Sequence, residues 1–97
     1  MSGYYDRAGR PIGTEKYYEL LGGDHFRVAK DELDGATVST VWLGLDHNFG
    51  RGPLAIFETM IFDGEHDLEC RRYPSEGEAL RGHRDAVNNL RRGRAPW

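Results

Sequence analysis

Asp34-Gly35 stands between the segment Phe26-Arg27-Val28-Ala29 and the run Thr37-Val38-Ser39-Thr40-Val41-Trp42-Leu43. Two residues of this kind between alternating and β-branched segments form a tight hairpin, because glycine accepts the positive φ that the turn requires. Such a turn sets Leu33 opposite Ala36, and therefore Val28 opposite Val41 and Phe26 opposite Leu43. A third run, Leu54 to Phe62, is apolar on both faces, as a central strand is. A fourth, Leu68 to Tyr73, is short and charged, which suits an edge.

If the loop from His47 to Pro53 places Asp46 opposite Leu54, one sheet face collects Phe26, Val28, Val41, Leu43, Phe57 and Ile61, with Leu45, Ala55 and Cys70 beside them. The other face then holds Val38, Thr40, Trp42, Ile56, Met60 and Phe62, with Glu58 across from Trp42. Both faces need a cover. Ser75 and Glu78 form a capping box behind Pro74, and Ala79, Leu80, His83, Ala86, Val87 and Leu90 recur at helical spacing up to Gly93. That helix is expected on the first face.

At the N-terminal end, Asp6 and Gly9 between apolar flanks predict a small hairpin, and Thr14 is placed to cap a two-turn helix stopped by Gly22-Gly23. This tyrosine-rich hook is expected near the second face, which is otherwise left to a second copy of the chain or a partner. A chain of 97 residues suits one domain. The expectation is therefore a single α+β domain over 1–93: an antiparallel sheet of about four strands in meander order, one C-terminal helix on one face, and a short N-terminal hairpin and helix. Residues 94–97 read as a loose tail.

Composition narrows the function classes. A 38% hydrophobic and 30% charged chain has enough apolar content to fold. Its longest apolar run is broken by Glu58, well short of a membrane span, and Met1 to Arg10 lacks the apolar core of a secretory signal. A single cysteine, Cys70, forms no internal disulfide and fits a reducing compartment. Charge is uneven, with 6 basic and 13 acidic residues over 1–69 but 7 basic and 3 acidic over 70–97. Arg81, Arg84, Arg91, Arg92 and Arg94 ride on or follow the C-terminal helix, where cations complement its dipole. Nucleic-acid binding is accordingly the weaker reading of these arginines.

The densest chemistry lies in Asp46-His47-Asn48-Phe49-Gly50-Arg51-Gly52-Pro53. Such a loop can bind an anion through Arg51 and backbone amides, or let His47 act as a base oriented by Asp46. Its plain alternative is a long connection whose Asp and Asn make local turns. Glu58, a carboxylate inside an apolar strand, calls for a bond to Arg71 or Tyr73. Asp63 to Asp67 reads as a polar turn, because His66, Cys70, His47 and His83 match no zinc or calcium spacing. His83 on the helix stripe reads as a packed residue. No metal, cofactor or complete catalytic set is expected, and the candidate binding residues are Asp46, His47, Asn48, Arg51, Trp42 and Glu58.

Three segments, Tyr5-Asp6-Arg7-x-Gly9-Arg10-Pro11-Ile12, Val38-Ser39-Thr40-Val41-Trp42-Leu43-Gly44-Leu45-Asp46-His47-Asn48-Phe49 and Ile56-Phe57-Glu58-Thr59-Met60-Ile61-Phe62, together resemble a family of small proteins encoded by actinobacteriophages, other tailed phages and prophages. The resemblance covers most of the chain. It carries no activity, so no residue inherits a role from it. What it implies is a phage or prophage origin and action in the cytoplasm of a bacterial host. The leading expectation is a nonenzymatic binding protein, a host-takeover or counter-defence factor that engages a host protein, with self-association as a second partner reading. The competing expectation is a small ligand-binding or hydrolytic protein centred on the Asp46-His47-Asn48 loop.

Overall fold

The computed structural model describes residues 3–63 and 66–97, and at 63 and 66–68 the backbone alone. Two short strands, β1 (Tyr4–Tyr5) and β2 (Pro11–Ile12), are followed by helix α1 (Thr14–Leu21). A 3-10 turn at Asp24–Phe26 leads into β3 (Arg27–Leu33), β4 (Ala36–Trp42), β5 (Phe57–Asp63) and β6 (His66–Tyr73). These four pair antiparallel in chain order, and helix α2 (Glu76–Arg91) packs on them. The architecture is the expected α+β meander.

Local signals act as read. Gly35 takes a φ of 85° and Leu33 pairs with Ala36. Asp6 accepts the Arg10 amide at 2.8 Å and shapes the β1–β2 turn. The Ser75 hydroxyl accepts the Glu78 amide at 3.3 Å and donates to its carboxylate at 3.1 Å. One cap differs: α1 begins after Gly13, with no side-chain cap, and Thr14 is already its first helical residue.

The strand faces differ from those expected. Trp42 pairs with Phe57, Thr40 with Thr59 and Val38 with Ile61, one residue away from the register that set Leu43 against Phe57. A one-residue slip sends every side chain of a strand to the other face. The cause lies in the connection after Trp42. Gly44, at φ 77°, turns the chain towards the N-terminal hairpin, where its carbonyl accepts the Tyr5 amide at 2.7 Å and the Asp46 amide donates to Gly3 at 3.0 Å. The link from β4 to β5 is thus held by residues some forty positions upstream, and loop length does not set the register. On β3, a bulge between Arg27 and Ala29 places Arg27, rather than Val28, opposite Val41.

The face under α2 therefore carries Val38, Thr40, Trp42, Phe57, Thr59 and Ile61, all buried. It has three tiers along the helix. Val38 and Ile61 meet Ala86 and Val87 at one end, while Trp42, Ile56 and Phe57 meet Ala79 at the other. Thr40, Thr59 and His83 lie between. Gly82 is required where α2 crosses Tyr73, because a Cβ there would collide with the phenol ring.

The N-terminal elements share this face with α2, contrary to the expectation that they lie near the other one. Tyr5, Ile12, Tyr17 and Leu20 pack on the Trp42 cluster, and Arg7 bonds Glu76 at the start of α2 at 2.6 Å. That guanidinium bond holds the Glu76 carboxyl below its ordinary range. Residues 94–97 fold back rather than trail: Trp97 packs on the Val38 cluster, donates to the Gly82 carbonyl at 3.2 Å and lies under the Arg71 guanidinium. The opposite sheet face carries Ser39, Val41, Glu58, Met60 and Phe62, half-buried among one another.

Candidate functional site

The connection from β4 to β5 is organised around Asp46, which is 5% exposed. Its carboxylate accepts the amides of Asn48 at 2.9 Å, Gly50 at 3.0 Å and Ala55 at 3.0 Å. Burial alone would raise its pKa, but these three amides, helped by nearby His47, outweigh it and hold the carboxyl below the usual range. The Asn48 side chain braces the far end by donating to the Pro53 carbonyl. Asp46 and Asn48 thus act inward, on their own loop.

The loop so held displays Phe49. It is 73% exposed and its φ is 52°, a left-handed conformation that a bulky side chain seldom adopts. Gly50 and Gly52 follow, also at positive φ, with exposed Arg51 between them. The half-buried His47 ring lies 6.4 Å from that of Phe49. His47 and Asp46 share no side-chain hydrogen bond, so the oriented base that the sequence suggested is not assembled.

The six candidate residues fall into three separate places. Asp46, His47, Asn48 and Arg51 share the loop. Trp42 is 1% exposed beneath the N-terminal hook; its indole donates to the Tyr5 carbonyl at 2.9 Å, and it is unavailable to a partner. Glu58 lies on the open sheet face, bonded by Arg72 at 3.0 Å and Cys70 at 3.3 Å, and not by Arg71 or Tyr73. That difference again follows register, since β6 pairs Glu58 with Arg72. Phe49 is a site residue that the sequence reading does not single out; its signal is a large aromatic set between Asn48 and Gly50 in a glycine-rich connection.

A second polar cluster spans the sheet. Thr59 bonds Thr40, Thr40 bonds His83 Nδ1 at 2.7 Å, and His83 Nε2 bonds Asp31 at 2.7 Å. A carboxylate only accepts, so Nε2 carries a proton, and in the neutral ring Nδ1 accepts from Thr40, which in turn accepts from Thr59. The order acid, imidazole, hydroxyl matches that of a nucleophilic triad. Both hydroxyl side chains are nevertheless 0% exposed between sheet and helix, where no substrate reaches them. The chain is an internal pin that satisfies four polar groups.

Beside the loop, a shallow depression of about 570 Å3 is walled by Asn48, Pro53, Leu54, Arg72, Pro74 and Glu78. Among the described residues, no three His, Cys, Asp or Glu side chains could hold a metal ion, and no helix is long and apolar enough to cross a membrane. The His66 ring, one of the metal-ligand types weighed in the sequence, lies outside the described side chains. No protein-family model, curated protein or solved structure matches the chain.

Proposed function

We propose that this chain is a nonenzymatic protein-binding module that works through the 46–53 loop, with Phe49 as its anchor and Arg51 as its charge. The observation that carries this reading is the exposed, left-handed Phe49 on a loop braced by a buried carboxylate. Holding a bulky residue in that conformation costs about 1–3 kcal/mol, and exposing its ring forgoes the gain of burial. Rigid aromatics held ready in this way are effective binding anchors, because little freedom is lost when they dock. The resemblance to phage and prophage proteins supports action in a bacterial cytoplasm, in a host-takeover or counter-defence role. The ligand or hydrolytic alternative has less support, since the Asp46 carboxylate is already engaged by three amides. The nucleic-acid alternative rests only on the exposed arginines of α2 and the tail.

The test places a photoreactive benzophenone residue at position 49 or at Tyr18, an exposed aromatic on α1, and irradiates each protein in host lysate. Position 49 should yield a discrete protein adduct that position 18 does not. Equal labelling at both positions, or none at 49, overturns the proposal.

A further inference from the structure

We infer that the occupant of this loop is a second copy of the chain, with Phe49 of each copy seated in the depression beside the loop of the other. The inference rests on the binding reading above and names the partner. Residues 48–55 supply both the projecting ring and one wall of the depression, so knob and hole lie on a single patch. Phe49 stands outside the depression of its own chain. A patch bearing both halves of a contact is self-complementary: a twofold axis between them engages both at once and leaves no open end.

Charge favours the same pairing. Among the described residues, exposed Arg51 has no ion pair, and the side chain of Glu78, which lines the depression, bonds only Ser75 of its own turn. Across the twofold, each Arg51 meets the other copy's Glu78. The remaining surfaces suit this role less well, because Trp42 is interior and the apolar residues of the open sheet face are already half-buried among one another. Two seated rings and two ion pairs make a small interface, at the low end of interface size, so the dimer is reversible and depends on concentration.

Sedimentation velocity of the full chain from about 5 µM to about 500 µM reads this directly. Wild type should move from the 11.0 kDa monomer towards twice that mass. Phe49→Ala should weaken association about tenfold or more. Arg51→Glu and Glu78→Arg should each fail to self-associate, yet pair with one another when mixed, because the mixed dimer restores both charge contacts; thermal melts verify that each variant is folded. A wild type that stays monomeric throughout, a Phe49→Ala that associates like wild type, or single variants that do not pair on mixing overturns the inference. A monomeric wild type that still gives a host-protein adduct at position 49 would remove the second copy and leave the binding loop standing.

Discussion

Two regions of this molecule bury polar groups, and they use them in opposite ways. Under α2, Thr59, Thr40 and His83 satisfy one another and end at Asp31, whose side chain is 45% exposed. In the 46–53 loop, Asp46 satisfies three backbone amides, and the result is an exposed aromatic in a strained conformation. The first arrangement has the residue order of a catalytic triad and serves the interior. The second has no recognisable catalytic order and shapes the surface. Buried polarity alone therefore does not mark a functional site. What distinguishes the two is whether the bonded network ties strands to a helix or holds an exposed side chain in place.

If the interior region is purely structural, association does not depend on it. Trp42→Ala should cost about 3–5 kcal/mol of stability, as loss of a buried aromatic does, and leave the association of the folded fraction unchanged. Denaturant unfolding with sedimentation reads both. An association defect larger than the stability loss would return Trp42 to an interface.

Acid sharpens the role of Asp46. Its folded-state pKa is depressed, so its contribution is complete above the unfolded value of about 3.9 and is lost as pH falls through the lower folded value. Asp46→Asn should lower stability by about 1–3 kcal/mol at neutral pH, because an amide cannot accept all three bonds equally well. It should also flatten the fall in stability below about pH 4. Melting curves from neutral to acid pH test both parts.

The hydroxyl chain predicts a smaller, coupled effect. Thr40→Val should cost about 1–2 kcal/mol and Thr59→Val less, because Thr40 is central and Thr59 terminal. The double variant should cost less than the sum by about 0.5 kcal/mol or more. Strict additivity in denaturant unfolding would mean that the chain is not cooperative.

The smallest stability change should come from the residue of greatest functional interest. Phe49→Gly relieves the left-handed strain and should leave stability within about 1 kcal/mol of wild type, or raise it, while removing association. A large loss of stability would reclassify Phe49 as a structural residue.

Much of this could be read along the chain. The Asp34-Gly35 hairpin, the Ser75 cap, the α2 stripe and the meander order depend on neighbours within a few residues, where turn chemistry and periodicity act directly. Asp46 and Asn48 were legible as turn formers in the same way. Phe49 sits in the same loop, but whether its ring turns inward or outward depends on the backbone conformation there, which its neighbours in sequence do not set. Asp31, Thr40 and Thr59 carried no shared signal, since three strands and a helix must meet before they form one chain with His83.

The elements, their order and the turn at Gly35 follow from local sequence, because each depends on residues close to one another in the chain. Which side of β4 is interior depends instead on contacts far along the chain. That choice is a single parity, carried by no residue of the strand, because Val38, Thr40 and Trp42 on one face and Val41 and Leu43 on the other make both plausible linings. It was settled by the amide of Tyr5 on the Gly44 carbonyl and by the carbonyl of Gly3 on the Asp46 amide, contacts between segments about forty residues apart. A one-residue difference there exchanges the two faces, and with them Trp42 passes from surface to core.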